Sequence, residues 1–162
     1  MSKVISIGNQ GFEDIRKNDN FYVDKTDFIR EWWESRDIVT LITRPRRFGK
    51  TLNMDMLKCF FSNRYAGRSD LFEGLSIWKE EKYRELQGQY PVIFLSFANV
   101  KEGNAEAAKM QMKALIARMY EENRFLLEGN LLSENEKKMY QNVTIYMSDV
   151  EAVIAISTMC MY

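Results

Sequence analysis

Gly49, Lys50 and Thr51 stand side by side at the end of the run Arg44-Pro45-Arg46-Arg47-Phe48-Gly49-Lys50-Thr51. Together these three residue types can hold a triphosphate. Glycine lets the backbone approach phosphate oxygens and turn its N–H groups inward. The Lys50 ammonium can reach the β and γ phosphates as a point charge, which makes it the candidate catalytic residue. The Thr51 hydroxyl is a hard oxygen ligand suited to magnesium. A helix starting here adds the positive end of its dipole. The pattern is that of a P-loop, G-x-x-x-x-G-K-[ST], with Arg44 where the first glycine belongs. The implied cofactors are ATP and Mg2+, with residues 44–51 as the binding loop and Thr51 as the metal ligand. The plainer alternative is a glycine turn with a solvated lysine.

The missing first glycine changes the loop. Pro45 drives Arg44 toward an extended conformation, so the turn is expected to begin at Pro45. Pro45 also has no N–H to offer a phosphate. Arg46 and Arg47 are placed to compensate with guanidinium donors, or else they form a solvated basic turn; the sequence leaves both open.

A P-loop needs a strand before it and a helix after it. The run Ile38-Val39-Thr40-Leu41-Ile42-Thr43 is β-branched and apolar, and it predicts a buried strand. From Lys50 to Asn63 the residues Leu52, Met56, Cys59 and Phe60 fall on one helix face. Val92 to Phe97, entered through Pro91, predicts a second strand. Further helices are expected over Thr26 to Ser35, Ala105 to Leu127 (inner face Ala108, Met112, Leu115, Ile116 and Met119) and Glu134 to Gln141. Ser148-Asp149-Val150-Glu151 has the pattern of a capping box opening a last helix. Tyr65-Ala66-Gly67 and Asp70 mark a turn. Alternating strands and helices predict an α/β layered domain with a mostly parallel sheet. Two strands are too few to complete that sheet, so the chain is expected to be part of a larger domain. Residues 1–37 are expected to pack on a core built from residues 38–162.

Composition removes several chemistries. The 162 residues contain no histidine, which excludes Ser-His-Asp and Cys-His catalysis and histidine zinc sites. Lys plus Arg and Asp plus Glu are 23 each, so net charge gives no reason to expect a polyanion partner. Cys59 and Cys160 have no paired spacing, which points to a reducing compartment. Met1 to Gln10 lacks the order of a signal peptide, and Ala152 to Tyr162 is too short to cross a bilayer. A cytoplasmic chain without a membrane partner is expected.

No acidic pair follows an apolar strand, so the element with which P-loop ATPases hold magnesium and the attacking water is missing. Asp149 and Glu151 sit where capping and dipole compensation explain them. Nucleotide binding is thus expected more firmly than hydrolysis.

The run Arg44 to Thr51, with Leu41-Ile42-Thr43 before it and Leu52-Asn53 after it, resembles the bacterial AAA-ATPase-like family. In that family an arginine-proline-arginine-arginine-phenylalanine loop replaces the glycine-led form. Phe21-Tyr22-Val23-Asp24-Lys25-Thr26, Leu71-Phe72-Glu73-Gly74-Leu75 and Tyr90-Pro91-Val92-Ile93-Phe94-Leu95-Ser96-Phe97 fit the same pattern, so the resemblance covers nearly the whole chain. It implies a P-loop ATPase core that binds ATP through residues 44–51. Such proteins continue into an acidic Walker B strand and often a nuclease domain of the PD-(D/E)XK kind, and neither is present in this chain. The stretch Tyr22 to Thr26 either lines the nucleotide site or supplies a helix cap through Asp24 or Thr26, the cap being favoured. Expected partners are a nucleotide, nucleic acid through a full-length protein, and further copies of the chain through an open sheet edge. The alternative function is a nucleic-acid-binding or self-associating module with a non-catalytic nucleotide site.

Overall fold

The computed structural model describes residues 3–45 and 47–162. Seven α-helices are formed among them: α1 (Phe12–Lys17), α2 (Asp27–Ser35), α3 (Lys50–Phe61), α4 (Glu81–Arg84), α5 (Ala105–Glu122), α6 (Glu134–Gln141) and α7 (Asp149–Met159). Short 3-10 turns fall at Asn63–Tyr65, Ser69–Leu71, Ser76–Lys79 and Arg124–Leu127. The chain divides into two compact units, one running to Val92 and the other from Ile93 to Tyr162.

The expected α/β layered fold is not what forms. Among the described residues there is no sheet, and the sole strand-like pairing is a parallel bridge between Ser62 and Tyr90. Residues 38–43 lie outside any ladder, with Ile38 fully exposed and Val39 and Leu41 more than four-fifths exposed. A strand draws its hydrogen bonds from a neighbour, so an apolar β-branched run without one has nothing to hold it in a sheet. The second expected strand, residues 92–97, fails for a visible local reason. Tyr90 donates its N–H to Phe61 (2.9 Å) and accepts from Asn63 (2.8 Å), but the partner segment then tightens into the Asn63–Tyr65 3-10 turn and offers Val92 no extended backbone to pair with. With no sheet, the open sheet edge expected to drive self-association is also not formed.

The first unit is built around α3. Met56, Cys59 and Phe60 are fully buried on one face, and Phe61 is nearly so. Phe12 of α1 and Ile29 of α2 join them, so the N-terminal segment shares this core. Aromatic contacts lock the arrangement: Phe60 meets Phe72 edge-on at 5.0 Å, and Trp33 stacks on Phe61 at 5.5 Å. Polar ties fix the loops around it. Arg16 donates to the carbonyls of Leu71 (2.7 Å) and Glu73 (2.8 Å), holding the Leu71-to-Leu75 turn against α1. Gly88 has φ +72°, and a Cβ there would lie 2.5 Å from the Ala66 backbone, so no side chain fits this close approach.

The second unit packs α5, α6 and α7 around Ile116, Met119, Tyr120, Tyr140, Ala155 and Met159. Tyr120 donates to the Ala155 carbonyl (2.8 Å) and Tyr140 to the Tyr120 carbonyl (2.5 Å), so both buried phenols are satisfied. Burial pushes each of these hydroxyls up to about 12. Ser148 forms the complete capping box with Glu151 that its sequence predicted, and Ser133 forms a second box with Glu136 that the sequence reading had not singled out. On α5, Ile116 and Met119 face the core as expected, whereas Met112 is exposed. That helix ends at Glu122, and Arg124–Leu127 forms a separate 3-10 turn.

Candidate functional site

Residues 44–51 run from an extended, exposed stretch into the first turn of α3. Pro45 has no assigned helix or strand, Arg47 lies in a turn, and the expected start of that turn at Pro45 depends on Arg46, outside the described residues. Arg47 (φ +69°) and Gly49 (φ +75°) both adopt left-handed backbone. For glycine this conformation is free of penalty, and for arginine it costs about 1 kcal/mol or more, so the loop carries local strain. Gly49 is the residue that starts α3, and its carbonyl accepts from Asn53 at 2.9 Å. Lys50 is the first helical residue. Its ammonium folds back to donate to the carbonyl of Arg44 and lies 3.5 Å from that of Pro45. The loop thereby curls around a positive charge. Arg44, Pro45, Arg47 and Phe48 are exposed, Gly49 and Lys50 half-buried, and the Thr51 side chain faces solvent. Arg46 lies outside the described residues.

The start of α3 differs from every other α-helix start among the described residues. The six other helices each carry at least one carboxylate in the first turn: Glu13 and Asp14, Asp27, Glu81, Glu106, Glu134 and Glu136, Asp149 and Glu151. In α3 that turn holds no acid, and no side chain caps its N–H groups. A helix N-terminus concentrates partial positive charge and unpaired donors, and the other helices answer theirs from within the chain. At α3 the demand is left open to an external anion.

The acids near this helix are otherwise engaged. Asp55 accepts the Phe12 N–H at 2.8 Å and pairs with Lys58, tying α3 to α1. Cys59 is buried, which pushes its thiol up to about 12 and removes it as a nucleophile at neutral pH. In the second unit Asp149 pairs with Lys113 (2.7 Å) and Lys109 (3.1 Å), and Glu151 serves the capping box, in line with the structural roles expected for both.

The stretch Tyr22 to Thr26 is held in place more tightly than a simple helix cap would require. Thr26 occupies the N-cap position of α2 but makes no side-chain cap bond there. Its buried hydroxyl instead donates to Asp24 Oδ1 (2.6 Å) and accepts the Ile77 N–H (3.2 Å). Asp24 Oδ2 accepts the Ser76 N–H and hydroxyl, both at 2.7 Å. Burial raises the Asp24 carboxyl, but the hydrogen bonds from Thr26 and Ser76 outweigh it and hold the group below the usual carboxylate range. Between these clamped residues sits Lys25, whose Nζ lies 3.8 Å from the position a Cβ would take on Gly49. Sequence reasoning offered this stretch as a possible lining of the site but did not single out Lys25, because no local pattern brings position 25 to position 49.

Comparison with known proteins gives the family of the chain. A family model described as "Predicted AAA-ATPase" matches residues 6–157, and the chain belongs to that AAA-ATPase-like family. The chain is also similar to a protein of Azotobacter chroococcum mcd 1 described as "Uncharacterized protein in vnfD 5'region", with 38% identity over 96 residues. That match takes in 59% of this chain but only 17% of the relative, so the chain spans a small fraction of its relative's length. No solved structure matches. Among the described residues no helix is long and apolar enough to cross a membrane.

Proposed function

We propose that residues 44–51 and the start of α3 bind the phosphates of ATP with magnesium. The observation that carries this is the open N-terminus of α3. It alone among the described α-helices has no acid in its first turn, and it begins with a left-handed glycine, a lysine and a threonine. Membership of a family described as a predicted ATPase supports nucleotide use.

The residues fit the ligand. Gly49 presents bare backbone beside the helix donors. The Lys50 ammonium is close at hand and needs only to exchange two loop carbonyls for phosphate oxygens. The exposed Thr51 hydroxyl would hold the magnesium ion, which when bound neutralises charge between the β and γ phosphates. Arg44 and Arg47 are exposed and can add guanidinium donors at the rim. Binding is the activity proposed, and hydrolysis is left outside it.

Thermal unfolding tests the reading. Saturating Mg-ATP raises the Tm of the wild-type chain; at one hundred times Kd the stabilisation is about 2.7 kcal/mol. Lys50→Ala removes that rise while leaving the nucleotide-free Tm in place. A folded wild-type chain whose Tm does not move at millimolar Mg-ATP would overturn it.

A further inference from the structure

Among the described residues, Lys25 is a cation that the fold brings beside the loop from a distant part of the chain. Its Nζ is 3.8 Å from the Cβ position of Gly49, close to the left-handed turn that begins α3. Other lysines of this unit are neutralised at close range: Lys3 by Asp19 (2.5 Å), Lys17 by Glu13 (2.7 Å) and Lys82 by Glu34 (2.9 Å). Among the described residues nothing neutralises Lys25 in this way. The adjacent carboxylate, Asp24, is turned aside, with one oxygen taken by Thr26 and the other by Ser76.

The backbone on either side of Lys25 is fixed. Asp24 is bonded to the Ser76 N–H, and Thr26, which is fully buried, is bonded to the Ile77 N–H. An exposed lysine ordinarily swings freely and loses considerable rotamer entropy on binding. Here its stem starts from a clamped tripeptide, and its charge is delivered next to an uncapped helix N-terminus. Two like-signed features brought together without an internal anion repel each other, and a bound anion relieves that repulsion.

We infer that Lys25 is a second phosphate-binding ammonium of the nucleotide loop, placed there by the Asp24–Ser76 and Thr26–Ile77 clamps. The inference rests on the proposed nucleotide reading and adds a residue to it. Lys25 contacts the phosphates, not the base or sugar, so inorganic tripolyphosphate reports on it as well as ATP does.

The test measures Mg-ATP and magnesium tripolyphosphate binding by calorimetry for the wild type, Lys25→Met, Lys25→Arg and Lys50→Met, with urea unfolding of each in the absence of ligand. Lys25→Met is expected to raise both Kd values roughly tenfold, the loss of one charge-assisted hydrogen bond. Lys25→Arg keeps the charge and restores most of the affinity. The ligand-free urea midpoint stays at the wild-type value or rises slightly, because Lys25→Met removes an unpaired ammonium that repels the start of α3. Wild-type affinity in Lys25→Met, with binding lost in Lys50→Met, would overturn the role of Lys25 and leave the nucleotide reading standing. A lowered urea midpoint in Lys25→Met would make the residue structural and overturn it as well. Absence of wild-type binding to either ligand would bring down the nucleotide reading itself.

Discussion

The two flanks of the loop, residues 38–43 before it and α3 after it, are of similar apolar character and reach opposite ends. Leu41 is 81% exposed, whereas Phe60 is fully buried. The helix makes its backbone bonds within itself, so it arrives at the core already closed and needs only to bury one face. The extended segment must find its bonds on another chain segment, and none is supplied among the described residues. Hydrophobicity was thus an adequate guide to α3 and a poor one to residues 38–43. Burial requires a satisfied backbone as well as an apolar side chain.

The largest expected effect tests this contrast head on. Phe60→Ala should cost about 3–5 kcal/mol, while Leu41→Ser should change stability by no more than about 0.5 kcal/mol. Chemical denaturation measures both. Hydrogen exchange on the wild type should show the amides of Met56 to Phe60 protected and those of residues 38–43 exchanging nearly freely. A Leu41→Ser loss approaching that of Phe60→Ala would mean that the exposed flank is buried in solution.

A middle-sized effect is expected where the N-terminal stretch is clamped to the α3 core. Thr26→Val removes the hydroxyl that joins Asp24 to the Ile77 N–H and leaves a buried donor without a partner, at a cost of about 1–3 kcal/mol. Thr26→Ser keeps the bonds and should recover much of this. If Thr26→Val were neutral, the clamp would not be holding the stretch in place.

The smallest effect concerns pH. Glu13 on α1 accepts from Lys17 and Arg68, and these bonds hold its carboxyl at about 2, well below the usual carboxylate range. The folded-state value lies below the unfolded one, so the contribution is complete above about pH 4.5 and is lost as pH falls toward 2. Because the group is partly hydrated, the contribution is about 1 kcal/mol. Glu13→Gln should therefore lower the neutral-pH urea midpoint and flatten its decline between pH 4.5 and 2. An unchanged acid limb in Glu13→Gln would remove this pair from the stability of the α1–α3 side.

Much of the helical architecture was legible in advance for a local reason. The positions on α3, the serine–glutamate box of α7 and the glycine–lysine–threonine at a helix start act through neighbours within four residues. Windows of sequence contain those neighbours. The end of α5 was overestimated because the apolar pattern continues into Arg124–Leu127, where the chain tightens into a 3-10 turn. The strand predictions failed because the partner of a strand lies elsewhere in the chain and leaves no mark on the run itself.

On its own, then, the sequence determined where α2, α3, α5, α6 and α7 begin but not α1 or α4, which face of α3 is apolar, and that a flexible glycine, an ammonium and a hydroxyl meet at one helix start. Tertiary structure alone decided that residues 38–43 and 92–97 join no sheet, that Asp24 and Thr26 bond to Ser76 and Ile77, and that Lys25 lies beside Gly49. Helical bonds and caps close over a few residues, whereas these outcomes depend on segments tens of residues apart, whose meeting is set by the packing of the core between them.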